Sequence, residues 1–120
     1  MHMLFIEYPP CSTCKKAKKY LQSAGMELET RHIVEETPTY EELRIWWEQS
    51  GMELKKFFNT SGNLYKELNL KNRLKDMSEE EQLRLLSKNG MLIKRPLLIC
   101  EKGIVVGFQE DNYKIMCSEQ

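Results

Sequence analysis

Three apolar residues, Leu4-Phe5-Ile6, lead into Pro9-Pro10, and helix-forming residues follow at once. Proline cannot donate to a sheet ladder, so the run reads as a buried strand that must end there. From Ser12 to about Ala24 the spacing of Ala17, Tyr20, Leu21 and Ala24 puts one apolar stripe on a helix, and Gly25 is a natural stop. Residues 28–34, LETRHIV, are rich in β-branched types and predict a second strand. The first third of the chain is therefore expected to be a βαβ unit.

The middle reads as helical throughout. Thr39 with Glu42 forms a capping box ahead of Leu43, Trp46 and Trp47, in a helix expected to end before Gly51. The stretches ELKKFF and NLYKELNL suggest two short helices. Ser78 with Glu81 is a second capping box, opening a helix through Leu83, Leu85 and Leu86 to a stop at Gly90. The apolar runs PLLIC and IVVGF flank the turn residues EKG, which predicts a hairpin, and EDNYKIMC predicts a last helix. Together these elements give an α/β domain spanning 1–120, of thioredoxin-like order: βαβ, a helical insertion at about 38–90, then ββα with a mixed sheet.

At 120 residues and 41% hydrophobic content the chain has the size and apolar content of one domain that needs no metal or disulfide to fold. Lysine plus arginine and aspartate plus glutamate each total 18, so there is no basic excess for direct nucleic-acid binding. No segment approaches the roughly 20 apolar residues of a membrane span, and the start shows no signal-like pattern. The expectation is a soluble, cytoplasmic monomer without membrane contact. Four cysteines, unevenly spread, do not form the framework of a secreted disulfide scaffold.

In YPPCSTCKK, Cys11 falls in the turn and Cys14 in the first turn of the helix. Unpaired N–H groups and the dipole at a helix start stabilise an anion, so Cys11 is the expected nucleophile. Cys14, three residues on, is within disulfide reach and is the expected resolving thiol. Zinc would need two more ligands from His2, His32, Cys100 or Cys117, and no second paired motif supplies them, so no metal is expected. Cys100 reads as a buried small hydrophobe, Cys117 as a packed or incidental thiol, His32 as structural, and Lys15, Lys16, Lys18 and Lys19 mostly as a solvated face. In LIKRPLLI, Pro96 must open its strand, where a cis proline is common in thioredoxin-like folds. Arg95, just before it, would then lie near Cys11 and hold a thiolate or an oxyanion.

The blocks YPPCSTCKKAKKYL, ETPTYEEL, FFNTSGNLYKELNL and GMLIKRPLLI, in this order over nearly the whole chain, resemble the arsenate reductase-like (ArsC) family, in particular its Spx/MgsR-type branch with paired cysteines. The resemblance implies a thioredoxin-like fold, with Cys11 in the nucleophile position and Arg95 in that of the active-site arginine. Arsenate-reducing members place three arginines around the nucleophile. Here Asn59 and Gly107 align with the other two, and the loss of two charge-assisted contacts, each worth about 1.5–3 kcal/mol, argues against arsenate as substrate.

Two functional classes follow. The first is a thiol-disulfide oxidoreductase in which Cys11 attacks and Cys14 resolves. It would hold no bound cofactor, and an external thiol (glutathione, bacillithiol or a thioredoxin system) would act as reductant on a chain whose substrate is an oxidised protein or thiol. The second, implied by the resemblance, is an Spx-like redox sensor that controls transcription by binding RNA polymerase.

Overall fold

The computed structural model describes residues 2–118. They group into two compact units, one of the residues up to His32 together with those from Arg95 onward, the other of Ile33–Lys94.

The first unit is built on a four-stranded sheet: β1 (His2–Glu7), β2 (Glu27–His32), β3 (Leu97–Cys100) and β4 (Gly103–Val106), in the order β2-β1-β3-β4. β1 pairs in parallel with β2, from His2 opposite Glu27 to Glu7 opposite His32. It pairs antiparallel with β3, Phe5 facing Leu98, and β3 pairs antiparallel with β4, Leu98 facing Val105. Parallel neighbours need a crossover, and α1 (Ser12–Ser23) supplies it between β1 and β2. Ala17 and Leu21 of α1 pack with Met3, Phe5, Leu98, Val105 and Tyr113 in one buried cluster, Tyr113 coming from the C-terminal helix, α6 (Glu110–Cys117). This mixed sheet with βαβ and ββα halves is the thioredoxin-like arrangement.

The second unit contains α2 (Tyr40–Ser50), α3 (Asn63–Glu67), α4 (Leu70–Arg73) and α5 (Glu79–Lys88), with short 3₁₀ turns between them. Both capping boxes form as expected: the Thr39 hydroxyl accepts from Glu42 N–H, and the Ser78 hydroxyl from Glu81 N–H, each at 3.1 Å. Gly51, at φ +68°, ends α2 in the left-handed conformation that favours glycine. α2 packs on α5, and the Arg84 guanidinium lies 4.5 Å from the centre of the Tyr40 ring.

Several boundaries differ from the sequence reading. β2 spans Glu27–His32 rather than 28–34, and Ile33 and Val34 lie in the turn beyond it. Ala24 is exposed, since α1 has already ended at Ser23. NLYKELNL is broken by Asn69 at φ +54°, giving α3 and the start of α4, while ELKKFF makes a 3₁₀ turn. Gly90 does not cap α5, whose end residue is Asn89. A Cβ at Gly90 would stand 2.1 Å from the Ile33 carbonyl oxygen, so glycine is required there by the close approach of two backbone segments. Cys100 is half-buried rather than fully buried.

Candidate functional site

The site is assembled where β1 gives way to α1. Cys11 N–H donates to Tyr8 carbonyl at 2.8 Å, closing a turn whose two middle positions are Pro9 and Pro10. Proline fixes φ near the value such a turn needs, so the chain leaves the sheet abruptly and delivers Cys11 to the N-cap of α1 with extended backbone. Cys14 is the third residue of that helix and is fully buried, while Cys11 is half-exposed. Tyr8 N–H donates to Cys14 Sγ at 3.5 Å, within the range of a bond to sulfur. One turn further along, Lys18 Nζ pairs at 3.0 Å with Glu7, a buried carboxylate at the end of β1, which ties the helix to the strand beside the cysteines.

These surroundings separate the two thiols. Partial burial pushes Cys11 up, but hydrogen bonding from the Cys14 N–H and thiol, the Thr13 N–H and the Arg95 guanidinium outweighs it, and Cys11 ends below the ordinary thiol value. The Cys11 sulfur closes no full capping hydrogen bond, so the helix-start N–H groups act on it as converging dipoles. Burial dominates at Cys14. With the adjoining Cys11 sulfur adding to it, and the Tyr8 N–H and Arg95 only partly offsetting it, the Cys14 thiol is pushed up to about 12.

Arg95 comes from the other half of the unit, immediately before β3. Its Nε and Nη1 are buried without a hydrogen-bond partner among the described residues, and its guanidinium carbon lies 5.1 Å from the centre of the Tyr8 ring. A planar cation with two open donors beside a thiolate is suited to an anionic group on sulfur. The Arg95–Pro96 peptide is cis, and Pro96 is buried, its carbonyl accepting from Gly107 N–H at 2.8 Å. Gly107 adopts φ +77°. Asn59 belongs to the second unit, where its N–H donates to Leu92 carbonyl at 2.7 Å.

The structure thus brings Cys11, Cys14 and Arg95 together. It keeps Cys100 and Cys117 at the far ends of β3 and α6. Among the described residues no three His, Cys, Asp or Glu side chains gather as a metal site, and no helix is long and apolar enough to cross a membrane. Tyr8 is the site residue that sequence reasoning missed. It contributes a backbone donor to Cys14, a ring under Arg95 and an edge-to-face contact with His32 at 5.8 Å. The one sequence signal was an aromatic residue placed directly before Pro9-Pro10.

The chain is similar to several known proteins. The chain is 54% identical over 114 residues to YusI of Bacillus subtilis (strain 168), an uncharacterized protein, covering 95% of this chain and 97% of that one. It is 33% identical over 106 residues to the regulatory protein MgsR of the same organism, covering 88% and 82%. The crystal structure of an ArsC family-related protein from Bacteroides fragilis superposes with a TM-score of 0.93 at 50% identity, over 97% of this chain and 98% of that one. The ArsC family model matches residues 6–116, and the chain belongs to the ArsC family.

Proposed function

We propose that this protein is a thiol-disulfide oxidoreductase working through a Cys11/Cys14 dithiol. The observation that carries the reading is the division between the two sulfurs: Cys11 is half-exposed and held toward the thiolate, whereas Cys14 is buried with its thiol pushed up to about 12. The Cys11 thiolate attacks one sulfur of a substrate disulfide, forms a mixed disulfide and expels the other sulfur as a thiolate. That step removes the charge on Cys11, and with it a repulsion that holds the Cys14 proton in place. Cys14 then gives its proton to the expelled thiolate, attacks Cys11 Sγ, and releases the second substrate thiolate. The substrate gains two electrons, and the chain is left with a Cys11–Cys14 disulfide. An external cytoplasmic thiol of the glutathione, bacillithiol or thioredoxin kind reduces it again.

The Cys14→Ser variant tests this directly. Treated with hydroxyethyl disulfide, it should accumulate a stable adduct on Cys11 by intact mass, which the wild type should release. An adduct equally persistent in wild type would sink the resolving role.

A second reading rests on the likeness to MgsR, a regulatory protein, over 88% of this chain. In it the same dithiol reports redox state, and the chain acts on transcription through RNA polymerase. Co-purification with RNA polymerase whether or not the cysteines are present would favour the regulator.

A further inference from the structure

In a chain whose charges balance, residues 54–75 carry Lys55, Lys56, Lys66, Lys71, Arg73 and Lys75 against Glu67 alone. The second unit folds this basic stretch around three adjoining clefts of about 330, 410 and 250 Å³. Glu53 and Lys55 line the first and second, Tyr65 and Lys71 the second and third, and Thr60 the third and first. Lys94 joins the first cleft because its N–H donates to Phe57 carbonyl at 2.8 Å and Ile93 bridges Phe58, which lays it beside the 3₁₀ turn Leu54–Phe57. All six lysines that line the clefts are exposed. Among the described residues none of them is in an ion pair, whereas Arg44 and Arg84 of the same unit hold Glu48 and Glu80 at 3.4 and 3.8 Å. Like charges gathered on one face repel one another, a repulsion that an anionic partner relieves. Between the lysines the clefts are apolar. Leu54, Phe58, Tyr65 and Leu74 each expose at most 8% of their surface, and the half-buried Trp47 lines the 410 Å³ cleft with its indole N–H donating to Met52 carbonyl at 2.8 Å.

We infer that this face is a docking surface for an acidic protein segment, which sets an apolar side chain into the 410 Å³ cleft and its carboxylates against the surrounding lysines. An apolar floor with a cationic rim calls for a partner that carries both kinds of group, the buried anchor supplying affinity and the charges supplying approach and register. Nucleic acid fits the same face less well. Phe58 and Tyr65 are buried and packed edge-to-face at 6.3 Å, so neither ring offers an open face to a stacked base. No arginine lines any of the three clefts to fork onto phosphate or guanine. Glu53, which lines two of them, and Glu79, which lines the 410 Å³ cleft, would face a phosphate backbone that is negative at every step, whereas a peptide places its carboxylates selectively. The surface lies wholly in the second unit, and the inference is independent of the dithiol in the first.

The test uses the full chain and a fluorescein-labelled peptide of Asp and Glu set around one Leu and one Phe, followed by fluorescence anisotropy. The peptide should bind, with an affinity that falls as salt rises. Replacing its Asp and Glu by Asn and Gln, or its Leu and Phe by Ser, should each weaken binding at least about tenfold. On the protein, Lys55→Glu with Lys71→Glu should weaken it at least about tenfold, because like charges then face each other. Lys19→Glu with Lys114→Glu makes the same change in net charge at exposed positions of the first unit and should leave binding unchanged. The Trp47 indole N–H resonance should shift on titration. The inference is overturned if the peptide does not bind, if either altered peptide binds as well, if the two double variants behave alike, if the Trp47 resonance stays in place, or if an oligothymidylate of equal charge binds more tightly, which would make the face one for nucleic acid.

Discussion

The guanidinium of Arg95 lies over the Tyr8 ring, 5.1 Å from its centre, so the cation that favours the Cys11 thiolate rests on the residue that opens the turn before it. Removing the ring in Tyr8→Leu should cost the cation–π contact, about 0.5–1 kcal/mol, and slow Cys11 alkylation at pH 6 roughly two- to fivefold. Arg95→Ala should act in the same direction and more strongly, raising the Cys11 pKa. A reduced form deprived of thiolate stabilisation is less favoured, so the dithiol should also become harder to reduce. Alkylation at unchanged rate in both variants would show that Arg95 does not act on Cys11.

Cys14 should leave a signature in the pH dependence of stability. Its folded thiol is pushed up to about 12, against about 8.5 for an unfolded cysteine. Below the lower value both states hold the proton and the group has no effect. Above it the unfolded chain releases a proton that the folded chain keeps, so stability falls as pH rises from about 8.5 toward 12, by up to about 1.4 kcal/mol per pH unit. Urea unfolding of reduced protein at pH 8, 9 and 10 should show this slope, and Cys14→Ala should flatten it.

Gly90→Ala should be severe despite its conservative chemistry. The added methyl would meet the Ile33 carbonyl oxygen at 2.1 Å, and backbone cannot step aside as a side chain can. The expected loss is about 3 kcal/mol or more, at the upper end of the overpacking range, read as a lower urea midpoint. Gly51→Ala, with open space around it but φ +68°, should cost about 1 kcal/mol.

Arsenate should be a poor substrate. Gly107 adopts φ +77° and carries no cation, and Asn59 is neutral, so Arg95 is the one matching arginine of three. Turnover with glutathione and glutaredoxin should be negligible. A rate comparable to that of a three-arginine enzyme would contradict this expectation.

Local signals carried most of the fold. Pro9-Pro10 announced the end of β1, and both capping boxes marked helix starts because the residues that satisfy the first N–H groups lie three apart in sequence. The Cys11 and Cys14 positions were legible for the same reason, being set by one strand end and one helix start. What was illegible depends on distant chain. Gly90 looked like a helix stop because its partner, the Ile33 backbone, cannot be read from neighbouring residues. Tyr8 acquires its role from Arg95, which arrives from the second half of the sequence. Cys100 meets Met116 only because β3 and α6 end side by side, a neighbour that the run Leu97-Leu98-Ile99 does not announce.

Oxidation by diamide, followed by intact mass and thiol counting, reads out the Cys11–Cys14 couple itself. The wild type should lose two thiols within one chain, mapped to Cys11 and Cys14, and recover them with dithiothreitol while its circular dichroism stays native, because so short a loop closes with little backbone movement. The Cys14→Ser variant should form no such bond. Oxidation that gives only intermolecular dimers, or that closes an intrachain disulfide just as readily without Cys14, would contradict the account.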